Sequence, residues 1–139
     1  MSSVSAVFVN QRTEIERVVE FAERFGEEHQ FPAELVMTMH LVLDELVANI
    51  INHGYDDTAE HQIHVTLGVD GSELTIRVED DARPFDPLQV PPPDLDLPLE
   101  ERPVGGLGIH LVRSVMDAVE YQRHGDRNIL TMRKTIGRT

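Results

Sequence analysis

Three short patches hold residue types able to do chemistry together: Glu45-Leu46-Val47-Ala48-Asn49, Asp80-Asp81-Ala82-Arg83-Pro84-Phe85, and Gly105-Gly106-Leu107-Gly108. Glu45 and Asn49 stand four residues apart within a helical pattern, so they project one above the other on a single face, with Asn52 and His53 one turn further on. An Asn carbonyl is a sensible ligand for Mg²⁺, which keeps several waters and takes one or two protein oxygens plus phosphate oxygens. A carboxylate one turn away can take the proton of a water or hydroxyl attacking a γ-phosphate. A Glu and an Asn at this spacing also occupy many solvated helix faces, so the other patches must decide.

The glycine patch precedes a helical pattern at Ile109, Val112 and Met116. It lacks the lysine of a P-loop, because the chain's one lysine is Lys134, and its G-G-x-G spacing after a proline-rich stretch is not a dinucleotide fingerprint. What it offers is free backbone amides at a helix N-terminus, where the macrodipole and unpaired N–H groups favour phosphate oxygens. Standing alone, such glycines serve equally well as a hinge. Asp80 ends a strand pattern and can accept a hydrogen bond from an exocyclic amine such as adenine N6, although a strand-end turn former would look the same. His61 and His64 read as lying on one strand with opposite facings, and no zinc motif accompanies them, so no zinc site is expected.

The elements that must position these patches follow from hydrophobic period. Val4 to Val9 reads as a strand; Ile15, Val18, Val19, Ala22 and Phe25 form one helical stripe; Leu35, Met39, Val42, Leu46 and Ile50 form a second that ends before Gly54. Two alternating segments, Ile63 to Leu67 and Leu74 to Val78, flank Asp70-Gly71 and predict a hairpin. After the third helix come a strand at Ala118 to Gln122, a turn at His124-Gly125-Asp126 and a last strand from Ile129 to Ile136. Between Asp86 and Val104, Pro87, Pro91 to Pro93, Pro98 and Pro103 leave little room for regular structure, and a loop of that length suggests a lid over residues 86–104. The order predicts a single domain over 1–139: an α/β two-layer sandwich, a mixed, mostly antiparallel sheet covered on one face by three helices.

Bulk properties narrow the function classes. A formal charge of −13 disfavours a nucleic-acid reader or a binder of anionic membrane surfaces. The charge is uneven, −17 over residues 1–101 against +4 over 102–139, which leaves protein partners open. No cysteine, export signal or apolar run long enough to span a bilayer is found, so a cytoplasmic location is expected.

In this order and spacing the patches resemble the histidine-kinase-like (GHKL) ATPase superfamily, and most closely its anti-sigma-factor serine/threonine kinase branch. Asp44 to Asn49 with His53-Gly54-Tyr55 is similar to that branch's N-box, Asp80 to Pro87 to its first glycine box, and Pro103 to Val112 to its second. The resemblance spans essentially the whole chain, including Asn128-Ile129-Leu130-Thr131. It implies ATP and Mg²⁺ as cofactors, Glu45 as catalytic base, Asn49 as metal ligand and Asp80 as adenine anchor. It also implies nucleotide contacts from His53, Ala82, Phe85, Gly105, Gly106, Leu107, Gly108 and Ile109, with Thr131 beneath the adenine. Members phosphorylate a serine or threonine on a small antagonist protein and hold a sigma factor, commonly as homodimers. One departure stands out: the family usually has glycine where this chain has Ala82, and a β-carbon there demands φ below zero or a shifted base, at about 1 kcal/mol. A non-catalytic, nucleotide-gated protein-binding module of the same fold is therefore the alternative reading.

Overall fold

A computed structural model describes residues 2–89 and 106–137. Its elements are β1 (Ser2–Val9), α1 (Ile15–Glu28), α2 (Ala33–His53), β2 (Gln62–Asp70), β3 (Glu73–Asp80), α3 (Gly106–Val115), β4 (Ala118–His124) and β5 (Arg127–Thr135). The strands form one sheet in the order β1-β2-β3-β5-β4, and each of these pairings is antiparallel. The expected two-layer sandwich is present, with a sheet more uniformly antiparallel than the mixed one anticipated. Both hairpins turn through glycines at positive φ, Gly71 (62°) and Gly125 (63°), a backbone conformation that side chains with a β-carbon disfavour.

Strand alternation sorts residues between two environments. Leu74, Ile76 and Val78 of β3, together with Leu130 and Met132 of β5, are buried under the helices. The opposite face is polar: Ser5 and Thr66 share a hydrogen bond of 2.8 Å, and Arg133 pairs with Glu120 at 2.7 Å. α2 lies between α1 and α3 and contacts both. It is accordingly apolar on more than one side, and Met39, Val42, Leu43 and Val47 are fully buried. No helix among the described residues is long and apolar enough to cross a membrane.

His61 lies just before β2 and not within it, so the expectation that it alternates with His64 along one strand is corrected. Its main chain is instead tied to the end of β1 through Asn10. Residues 86–89 of the expected lid form a short turn, with Asp86 accepting from the amides of Leu88 and Gln89 at 2.9 and 3.0 Å. The remainder of that lid and Gly105 lie outside the described residues.

Candidate functional site

The α2 face carrying Glu45 and Asn49 meets the start of α3. A β-carbon built on Gly108 would fall 2.8 Å from Cδ of Glu45, so the carboxylate occupies the space that any other residue at 108 would fill. The absence of a side chain at 108 leaves the room that the Glu45 carboxylate takes, beside the first turn of α3. In that turn the amides of residues 106–108 have no intrahelical acceptor. The Ile109 side chain is buried in the core. Asn49 is half-buried, and neither its side chain nor that of Glu45 makes a hydrogen bond to another described residue. A carboxamide without a side-chain partner among the described residues, one turn from a carboxylate, fits an oxygen ligand of Mg²⁺ that shares the ion with phosphate and water. His53, the last residue of α2, is exposed.

The other end of the site is built on β3. Asp80 continues the apolar period of Leu74, Ile76 and Val78, which carries its carboxylate to the helix side, where it is only 4 % exposed. Burial pushes the Asp80 carboxyl upward; hydrogen bonds from Asn128 and the Ala82 amide, each 2.9 Å to Oδ1, oppose this shift. Among the described residues nothing donates to Oδ2, which leaves one oxygen for a ligand.

Ala82 is buried, and Gln30 is the one non-glycine residue with positive φ among those described, so Ala82 adopts no conformation that demands glycine. Its methyl group is directed at Gly54: a β-carbon added to Gly54 would lie 2.8 Å from it. The missing side chain at 54 makes the room that the extra methyl at 82 uses, and Arg83 N donates to Gly54 O at 3.0 Å beside it. The Arg83 guanidinium pairs with exposed Asp56. Phe85 is 42 % exposed, with its amide 3.4 Å from Asn128 Oδ1.

Asn128 is the residue that sequence reasoning passed over. It sits opposite Asp80 in the β3–β5 register and is 6 % exposed. Its Nδ2 donates to Asp80 Oδ1 and to the carbonyls of Ala82 and Arg83, while its Oδ1 accepts from the Tyr121 hydroxyl, Arg123 Nη1 and the Phe85 amide. Arg123 Nη1 also reaches the Ala82 carbonyl at 2.9 Å. One carboxamide therefore fixes both the Asp80 carboxylate and the backbone of 82–85.

Thr131 does not join this group. Strand period two places it on the opposite face from Asn128, Leu130 and Met132, beside Arg77 and Glu120 in the register, so the expected contact beneath an adenine is corrected. A hollow of about 270 Å³ at the α2–β2 connection, lined by Asn10, Tyr55, Asp57 and Glu60 among others, shares no residue with the Glu45–Gly108–Asp80 group.

Residues 8–134 match the family described as "Histidine kinase-like ATPase domain". Among characterised relatives, a serine/threonine-protein kinase BtrW from Bordetella bronchiseptica is 33 % identical over 103 residues, 74 % of this chain and 72 % of that protein. A serine-protein kinase RsbW from Bacillus thuringiensis is 30 % identical over 122 residues, covering 84 % and 72 %. Among solved structures, the RsbU and RsbW domains of Rv1364c from Mycobacterium tuberculosis superpose over the whole chain with a TM-score of 0.72 at 13 % identity; the chain spans 34 % of that longer one. The histidine kinase AdeS of Acinetobacter baumannii superposes with a TM-score of 0.52 at 14 % identity, over 99 % of this chain and 70 % of its own. The sequence match over nearly the full length and the shared fold agree: the chain belongs to the histidine kinase-like ATPase domain family, in the branch of the RsbW- and BtrW-type serine/threonine kinases.

Proposed function

We propose that this protein is a Mg·ATP-dependent serine/threonine kinase of the anti-sigma-factor type, phosphorylating a small antagonist protein and sequestering a sigma factor in the alternate partner state. The observation that carries the reading is the placement of the Glu45 carboxylate against Gly108, at the start of a helix whose first-turn amides are free for phosphate. Glu45 takes the proton of the attacking serine or threonine hydroxyl, a contribution of about 10²–10⁴ in rate for a positioned base. The free amides at the start of α3, residues 106–108, hold phosphate oxygens, and Asp80 Oδ2 accepts from the adenine amine. Asn49 would hold Mg²⁺ through its side-chain oxygen, the bound ion supplying charge neutralisation that a chain with one lysine does not. The acidic surface suits protein partners over nucleic acid or anionic lipid, and a cytoplasmic homodimer is the form proposed.

The methyl of Ala82, which motivated a non-catalytic alternative, is accommodated against Gly54 and supports retained nucleotide binding. Incubation with Mg·ATP and the cognate antagonist is expected to give phosphotransfer that Glu45→Ala abolishes and Asn49→Ala weakens in parallel with calorimetric Mg·ATP affinity. Transfer at the native rate by the Glu45 variant removes that residue from the mechanism. Tight partner binding without transfer returns the reading to a nucleotide-gated module.

A further inference from the structure

His61 is held from several directions. Its amide donates to Asn10 Oδ1 at 2.8 Å and its carbonyl accepts from Asn10 N at 3.1 Å. Its ring stacks on Tyr55, with centroids 4.0 Å apart and planes 13° from parallel. The two ring nitrogens face different carboxylates: Nε2 is 2.8 Å from Asp57 Oδ1, and Nδ1 is 3.1 Å from Asp81 Oδ2. A neutral imidazole has one N–H and one lone pair, so it can donate to just one of these acceptors. The imidazolium donates to both, and the geometry calls for that form. The Tyr55 hydroxyl donates to the remaining oxygen, Asp81 Oδ1, at 3.0 Å. Asp81 directly follows Asp80 and precedes the Ala82 amide that orients the Asp80 carboxylate.

We propose that His61 is a positioning residue for the nucleobase end of the cleft: bridging Asp57 and Asp81 as an imidazolium, it clasps the α2–β2 connection to the end of β3 and so fixes the turn that presents Asp80. The proposal rests on reading Asp80 as the nucleotide anchor, but its primary test needs no nucleotide.

The direction of pH dependence follows from the partners. Asp57, then Asp81, push the His61 imidazole above its usual range. Asp57 is held low first by His61. Partial burial pushes Asp81 up, but the His61 and Tyr55 donors outweigh it and the net shift is downward. Stability from the raised histidine is complete below its unfolded pKa and is lost as pH rises through the folded value; stability from the two depressed carboxylates is lost as pH falls through theirs. The clasp is thus closed in between and opens on the alkaline side. The other groups nearby are Tyr55, raised first by burial and so still a donor in this window; Asp80 behind Asp81; Arg127 of β5, which is paired with Glu79; and the neutral Asn10 just after β1. Asp80 is itself pushed upward, so the test uses a variant that moves His61 alone.

The measurement is amide hydrogen exchange at Ala82 and Arg83 in the nucleotide-free protein between pH 6.5 and 9, corrected for intrinsic base catalysis. Native protection is expected to fall with rising pH, by up to about tenfold for each unit separating the closed and open pKa values of His61. His61→Phe, which keeps a ring for Tyr55 but no donor, should show low and pH-independent protection. Asp57→Asn, at an exposed position compatible with folding, should move the fall to lower pH. Mg·ATP affinity between pH 7 and 9, where the triphosphate is fully ionised, should follow the same profile in each protein. Native protection that stays constant, or a fall unmoved by Asp57→Asn, overturns the clasp. Protection as expected with affinity insensitive to it overturns the positioning role. Protection as expected with no nucleotide bound at any pH overturns the nucleotide reading and leaves the clasp intact.

Discussion

Gly108→Ala separates chemistry from folding more sharply than removal of any charged group. The new β-carbon would lie 2.8 Å from Glu45 Cδ and nearer still to Oε2, closer than real contacts allow, so something must move. What it meets is the far end of a flexible side chain and not backbone, and Glu45 can give way by a torsion held about 30° off its rotamer, at about 0.5–1.5 kcal/mol. Against this, alanine in place of glycine in a helix recovers about 0.5–1 kcal/mol. The two nearly cancel, and the thermal midpoint is expected to stay within a few degrees of native. Activity should not stay: a base displaced by about 1 Å costs on the order of 10²-fold in rate. The assay is single-turnover phosphotransfer to the antagonist, run beside thermal unfolding and nucleotide affinity. The same substitution in a Glu45→Ala background should add little further loss, since the two changes act through one carboxylate and must be strongly non-additive. Full transfer by Gly108→Ala with native stability would refute the placement of Glu45 at the reacting end. A full additional loss in the Glu45→Ala background would show that Gly108 acts through the phosphate-holding amides instead.

Two further substitutions probe the nucleobase end. Asn128→Ala leaves a buried carboxylate oxygen and the carbonyls of Ala82 and Arg83 short of a donor, so urea unfolding should show a loss of about 1–3 kcal/mol, and ATP affinity should drop more than tenfold. Gly54→Ala drives a β-carbon to 2.6 Å from the Ile50 carbonyl oxygen and 2.8 Å from the Ala82 methyl; overpacking of this kind costs about 1–3 kcal/mol, measurable as a shift in the unfolding midpoint.

The elements were legible because their periods are strong. The α2 stripe and the Asp70-Gly71 hairpin appear where expected, to within a few residues. What period does not encode is which strand of the β4–β5 hairpin lies beside β3; that β5 takes the inner place shows in the deeper burial of Leu130 and Met132 than of Val119 and Tyr121. At the site, Glu45, Asp80 and Gly108 announced themselves by type and spacing. Asn128 did not, because an asparagine just after a Gly-Asp turn passes for part of the turn. The signal was parity: Asn128 shares its face with Leu130 and Met132, and a polar side chain at a core-facing position must find partners. The same parity excludes Thr131, an odd residue along an even face. Nothing in the sequence foretold that the extra methyl at Ala82 is matched by Gly54, since residues 28 apart meet only through the fold.

The placement of both ends of the site along one helix constrains how it can work. Glu45 and Gly54 are nine residues apart, about 14 Å at the helical rise, which suits the reach of an extended nucleoside triphosphate. Between and before them, Met39, Val42, Leu43 and Val47 are fully buried, so α2 cannot tilt without opening a close-packed core. Glu45 and the turn at 80–85 are therefore held at a fixed separation by the most deeply embedded of the described helices. On the proposed reading Glu45, as base, cannot be carried to its substrate, and any conformational control over transfer must act on the groups that meet α2 from outside. The turn at 80–85, held by Asn128 and by the His61 clasp, and the first turn of α3 are the two such groups described here. They touch α2 at opposite ends of the site, at Gly54 and at Glu45, so a nucleotide bridging both would couple them without any movement of the helix itself.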